Sequence, residues 1–119
     1  QAPARLNWKS FRWGMLVCHQ SFYVRTDLAR QTPYNPDYRF SADYDWCIRC
    51  LQHSRRNVYI DDVLIDYLNE GTTTRNHRSS LRERFRIMCY YYGTFSTIKK
   101  HLSFIPRYLR RRKNAVNNQ

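Results

Sequence analysis

Glycine and proline are scarce in this chain, at three and four of 119 residues. So few breakers exclude collagen-like and low-complexity architectures. Long apolar runs are missing as well: nothing approaches the roughly 18 consecutive apolar residues that a membrane-spanning helix needs. No secretory signal pattern opens the chain, which starts Gln1-Ala2-Pro3 without an initiator Met, a start that predicts excision from a longer polypeptide. Acidic residues nearly vanish from the C-terminal third. Residues 75–119 carry twelve Lys or Arg and a single acid, Glu83, whereas residues 1–74 set nine basic against eight acidic. The net charge of +12 therefore sits almost entirely in that third. A field of one sign favours an anionic partner: nucleic acid, lipid headgroups or a phosphorylated substrate.

What is abundant is aromatic. Ten Tyr, six Phe and three Trp lie within a 42% hydrophobic chain, which is enough to bury a core and exclude wholesale disorder. The length bounds it to one small domain or a piece of a larger one. Cysteines stand at 18, 47, 50 and 89. Cys47 and Cys50 form C-x-x-C, but within Trp46-Cys47-Ile48-Arg49-Cys50-Leu51, which reads as mid-helix. No second C-x-x-C or close His pair completes a zinc site. Buried reduced thiols are expected, and with them a cytoplasmic compartment.

Residues 1–13 read as irregular, anchored by Trp8 and Trp13. The run Met15 to Val24 is rich in β-formers and predicts a buried strand with His19-Gln20 in its middle. Thr26 opens a short helix from Asp27 to Arg30. Thr32-Pro33-Tyr34-Asn35-Pro36-Asp37 is turn chemistry. From Ser41 a helix is expected to about His53, with Asp43 and Asp45 in its first turn, where carboxylates suit the helix dipole. Its apolar face is Trp46, Cys47, Cys50 and Leu51. Val58-Tyr59-Ile60 and Val63-Leu64-Ile65 predict two strands, followed by a loop over Asn69 to Thr74. Ser80-Leu81-Arg82-Glu83 has the S-x-x-E form of a capping box. A helix follows through Phe85, Met88 and Tyr92 to a stop at Gly93. A last helix covers about Ser96 to Ser103, and a basic tail begins at Pro106. Strands first and helices last predict the trailing half of an α/β enzyme, with residues 1–105 as the working portion and 106–119 as the tail.

Asp43-Tyr44-Asp45 is the sharpest chemical feature. A carboxylate fixed on a helix end can act as general base toward a substrate hydroxyl. Electrostatic service to the helix N-terminus is the plainer role, and the dipole that favours the anion also weakens it as a base. The triplet also has the D-x-D form by which sugar-nucleotide enzymes hold a divalent cation, although such a motif normally ends a hydrophobic strand. His19 and Gln20 would point to opposite faces of their strand, so at most one faces a given site. His77, in a basic loop, could reach a phosphate or a metal.

Three segments in order resemble one family. Val17-Cys18-His19-Gln20-Ser21-Phe22-Tyr23-Val24-Arg25 is similar to the "cHQ-x-F-x-x-R" strand of bacterial family 2 glycosyltransferases. Tyr38 through Arg49 looks like their "aDyD-x-x-x-R" segment. Ser80 through Met88, followed by Tyr92-Gly93, resembles the C-terminal helix of the Bacteroides-type members. The resemblance implies the C-terminal half of a GT-A (nucleotide-diphospho-sugar transferase) fold, α/β with few strands followed by helices. It implies inverting transfer of a sugar from a nucleotide-sugar donor to a saccharide or lipid-linked acceptor, in surface polysaccharide synthesis. Asp43 corresponds to the family's catalytic base, with Ala42 in place of the usual preceding Glu. His19, Gln20, Asp45 and Trp46 would shape the acceptor pocket. The donor and a divalent metal, Mg or Mn, would be held mainly by a half outside this chain, so the fragment alone is expected to be inactive. Gly71 with Thr72-Thr73-Thr74 departs from the family's Gly-Gly-x-Ser loop. The basic tail would lie on the inner face of the cell membrane, where clustered Lys and Arg favour anionic headgroups. A competing expectation is a basic module that binds nucleic acid or a membrane surface without catalysis, supported by the charged C-terminal third and Tyr90-Tyr91-Tyr92. No helix-turn-helix, zinc finger or RNP-like string supports the nucleic-acid form.

Overall fold

A computed structural model describes residues 2–66 and 76–103. The expected loop over Asn69 to Thr74 and the basic tail from Pro106 lie outside the described residues. The elements are a 3-10 turn Trp8–Trp13, a second 3-10 turn His19–Ser21, and helices α1 Thr26–Gln31, α2 Ala42–His53 and α3 His77–Tyr92. A fourth helix, α4, is described over residues 94–103. None of these is long and apolar enough to cross a membrane.

The expected α/β architecture, the C-terminal half of a GT-A fold, is therefore corrected: among the described residues there is no strand and the elements are helical. The run from Met15 to Val24 is broken where its polar residues fall. Ser21 Oγ donates to the Cys18 carbonyl at 2.8 Å, and the amides of Ser21 and Phe22 donate to the carbonyls of Cys18 and His19. This local bonding closes a turn in place of a ladder. Val58-Tyr59-Ile60 and Val63-Leu64-Ile65 carry no strand pairing, and Val58 and Val63 are 71% and 85% exposed. β-propensity becomes a strand only when a second backbone supplies the ladder. Residues 2–13 are more regular than expected. Asn7 Oδ1 accepts from the Lys9 amide at 2.9 Å, while Ser10 Oγ accepts from the Asn7 amide at 3.2 Å, a reciprocal box that starts the first 3-10 turn.

The core is built on α2. Tyr44, Cys47, Ile48 and Leu51 recur at helical spacing and pack with Phe11 from the first turn and with Ile87 and Met88 from α3. The Tyr44 hydroxyl donates to the Phe11 carbonyl, and the Tyr92 hydroxyl to the Trp8 carbonyl at 2.5 Å. Trp8 stacks on Tyr92 with centroids 5.8 Å apart. Gly93 ends α3 at φ 85°, a positive value that suits glycine. Its carbonyl then accepts from the Thr97 amide and, at 2.8 Å, from Thr97 Oγ1, starting α4.

Burial sets a testable alkaline limit. It pushes the phenols of Tyr44, Tyr91 and Tyr92 well above their ordinary 10.0 and the Cys47 thiol well above 9.0. A group whose folded pKa is raised keeps its proton in the folded state after the unfolded chain has lost it. The stability it contributes is whole below the unfolded pKa and is lost as pH rises toward the folded one. The urea midpoint should hold up to about pH 9 and fall steeply above about pH 10. The tyrosinate absorbance of these three rings should rise together with loss of the helical circular dichroism. A midpoint that stays flat through this range would contradict their burial.

Candidate functional site

The first turn of α2 is where the chain brings its chemistry together. Its approach is organised from α3. Glu83 accepts three backbone amides from the segment entering α2: Arg39 at 3.0 Å on Oε1, and Phe40 at 2.7 Å and Ser41 at 2.9 Å on Oε2. Ser41 Oγ donates to the Ser80 carbonyl at 3.1 Å. The S-x-x-E pattern therefore does not cap its own helix, which begins earlier, at His77. Its serine and its glutamate both hold the N-terminus of α2, and the glutamate adds a negative charge at the positive end of that helix.

Asp43 and Asp45 diverge from there. Asp43 Oδ1 accepts the Tyr44 amide at 2.8 Å, and its Oδ2 lies 3.2 Å from His19 Nδ1. Both side chains remain partly open, His19 at 43% and Asp43 at 30% exposure. The second 3-10 turn, the one that replaces the expected strand, is what carries His19 to Asp43. Asp45, by contrast, is 3% exposed. Its Oδ1 accepts the Tyr91 hydroxyl at 2.7 Å and its Oδ2 accepts Arg49 Nε at 2.8 Å. Burial, and then that bond to Asp45, keep the Tyr91 phenol protonated. Arg49 continues to the Pro33 carbonyl at 2.8 Å, so the group ties α2, α3 and the Pro-rich turn together. With both Asp45 oxygens engaged inside the core, Asp43 and Asp45 do not fit a divalent cation as a pair. Among the described residues no group of three His, Cys, Asp or Glu could hold a metal.

Trp46 is packed and partly buried. Its Nε1 donates to the Thr32 carbonyl at 2.7 Å, one face stacks on Tyr34 at 5.2 Å and 9°, and Phe22 meets it edge-on at 6.0 Å. The ring left at the surface is that of Tyr34, 51% exposed. Burial raises the Tyr34 phenol, with further contributions from Cys47 and from the nearby Asp43 charge. Gln20 is exposed beside His19. Of the five sequence-predicted site residues, the structure joins His19 to Asp43 and leaves Gln20 beside them. It commits Asp45 and Trp46 to packing.

Sequence reasoning missed Glu83, Tyr34 and Tyr91 as parts of this region. Glu83 carried one available signal, as the lone acid in a strongly basic third. Tyr34 and Tyr91 carried none, because their partners are set by packing. Burial, and then the charge of Asp43, raise the Cys47 thiol. All four cysteines are free. Compared with known proteins, the chain matches no family model, no curated protein and no solved structure.

Proposed function

We propose that this chain is the acceptor-side portion of an inverting glycosyltransferase, in which Asp43 removes the proton from an acceptor hydroxyl. The observation that supports this most directly is the 3.2 Å approach of His19 Nδ1 to Asp43 Oδ2. These two residues come from separate segments of the family resemblance, and the fold places them against each other in a partly open setting. The Nδ1–H tautomer of His19 would donate to Oδ2 and hold the carboxylate in one orientation. A carboxylate offers about four lone-pair directions. The His19 contact and the Tyr44 amide take two, which leaves capacity for a substrate proton. As Asp43 takes that proton, the acceptor oxygen attacks the anomeric carbon of the donor sugar, and the nucleoside diphosphate leaves from the opposite face. The exposed Tyr34 ring, backed by Trp46, offers a flat apolar face to a saccharide acceptor. The donor and any Mg or Mn ion would be bound by residues outside this chain, and no step assigned to Asp43 or His19 passes through the metal. On this reading the basic C-terminal third holds the enzyme at the cytoplasmic face of the membrane against a lipid-linked acceptor.

The test uses the full-length polypeptide, a panel of nucleotide sugars, and saccharide and lipid-linked acceptors. We expect transfer with inversion, read from the anomeric proton coupling of the product. Retained configuration overturns the direct displacement. Absence of both transfer and nucleoside diphosphate release with every donor overturns the activity. The excess of twelve basic residues over one acid in residues 75–119 favours a second reading, a module binding anionic surfaces without catalysis. Its signature is vesicle or nucleic-acid binding that steepens at low salt and survives Asp43→Asn.

A further inference from the structure

Three cations on three elements lack a counter-charge among the described residues. Arg12 lies in the first 3-10 turn, Arg84 on α3, and Lys100 on α4. Each is set over an aromatic ring: Arg12 over Tyr92 at 5.8 Å, Arg84 over Tyr44 at 5.7 Å, and Lys100 Nζ over Trp13 at 4.1 Å. Arg12 Nε, Arg84 Nε and Lys100 Nζ are buried and have no hydrogen-bond partner among the described residues. Asp27, Asp43 and Asp45 are paired with Arg25, His19 and Arg49, not with these cations. Glu83, next to Arg84 in the chain, has its oxygens on the amides of residues 39–41. The Lys100 ammonium is pushed below its ordinary pKa, first by desolvation and then by the charge of Arg12, so these two cations sit close enough to repel.

Ring faces compensate a desolvated cation only in part. A buried polar atom without a partner is costly, and a buried unpaired charge more so. An anion with several acceptor oxygens and more than one charge would relieve both costs. Arginine supplies a planar fork to such a group, and lysine a point charge. We propose that Arg12 and Lys100 form a binding site for a phosphate dianion beside Trp13 and Tyr92. The site uses none of the residues of the proposed acceptor site and stands independently of that function. The phosphate can come from solution or from a phosphomonoester lipid headgroup.

The experiment is thermal unfolding of the protein with inorganic phosphate replacing chloride at constant ionic strength, alongside a 31P titration. Wild type should gain about 3 °C at saturating phosphate. Lys100→Met and Arg12→Gln should lose that increment, and Lys99→Met, on the exposed side of α4, should keep it. Lys100→Met should also melt no lower than wild type without phosphate, because it removes an unpartnered buried charge. Lys100→Gln serves as a second variant if the methionine variant misfolds. No phosphate increment in wild type, or an increment that survives both Lys100→Met and Arg12→Gln, overturns the site. Phosphatidylcholine vesicles containing phosphatidic acid separate the two sources. Vesicle binding weakened by Lys100→Gln but not by Lys99→Met assigns a headgroup to the site. Vesicle binding equal in both, with the soluble-phosphate increment lost only in Lys100→Gln, assigns free phosphate.

Discussion

Under the proposed glycosyl transfer, Asp43→Asn should lower kcat by about 10²–10⁴, the usual contribution of a positioned general base. The asparagine keeps the shape of the side chain, and its Oδ1 can still accept the Tyr44 amide that Asp43 accepts at 2.8 Å. It can also still meet His19. What it loses is the capacity to take a proton. The fold should barely register the change, since a negative charge near a helix N-terminus contributes only about 0.3–1 kcal/mol. Steady-state kinetics with saturating donor, beside a urea melt of the same sample, separates the two effects. The expected pattern is a collapse of kcat with KM for the acceptor and the unfolding midpoint nearly unchanged. A variant with wild-type kcat removes Asp43 from the chemistry. A variant whose kcat and stability fall together assigns Asp43 a structural role instead.

Glu83→Ala should destabilise the fold by about 3 kcal/mol, given that hydrogen bonds to charged groups contribute roughly 1.5–3 kcal/mol each and part of Glu83 is solvated. Three amides, from Arg39, Phe40 and Ser41, lose their acceptor at once. Two of these bonds are partly buried, so water replaces the carboxylate incompletely. Since small domains hold only about 5–15 kcal/mol in total, this is a large share. Glu83→Gln should lose about half as much, because the amide oxygen can still accept but carries no charge. Asp37→Ala, at an exposed turn, should stay within about 0.5 kcal/mol of wild type. Chemical denaturation of the three variants checks the order. Because Glu83 holds the entry to α2, its loss should also loosen the His19–Asp43 approach, visible as a change in the His19 ring resonances. An unchanged midpoint for Glu83→Ala would show that the clamp contributes nothing.

Local pattern carried much of the helical part. The spacing of Trp46, Cys47, Cys50 and Leu51 placed α2, and the structure starts it at Ala42 and ends it at His53. Gly93 was legible as a helix end because a positive φ there asks for glycine. Asp43 in the first turn of α2 was legible for the same local reason, the preference of carboxylates for a helix N-terminus.

The remainder depended on partners far away in the chain. The β-formers of residues 15–24, 58–60 and 63–65 suggested strands, but a strand exists only if another backbone completes its ladder, and among the described residues none does. Which helix the Ser80–Glu83 motif serves is a tertiary outcome, since the motif fits any N-terminus within reach. Packing decided which carboxylate turns inward: Asp43 meets His19, while Asp45, two residues on, reaches Tyr91 and Arg49. Successive odd positions on a helix lie about 200° apart, so one carboxylate faces the surface and the other the core. The sequence by itself determined the extent of α2, the stop of α3 at Gly93 and where charge accumulates, because those rest on nearby residues. Only the tertiary structure decided which side chains meet, because those bonds join residues brought together by packing α2 against α3 and the two 3-10 turns.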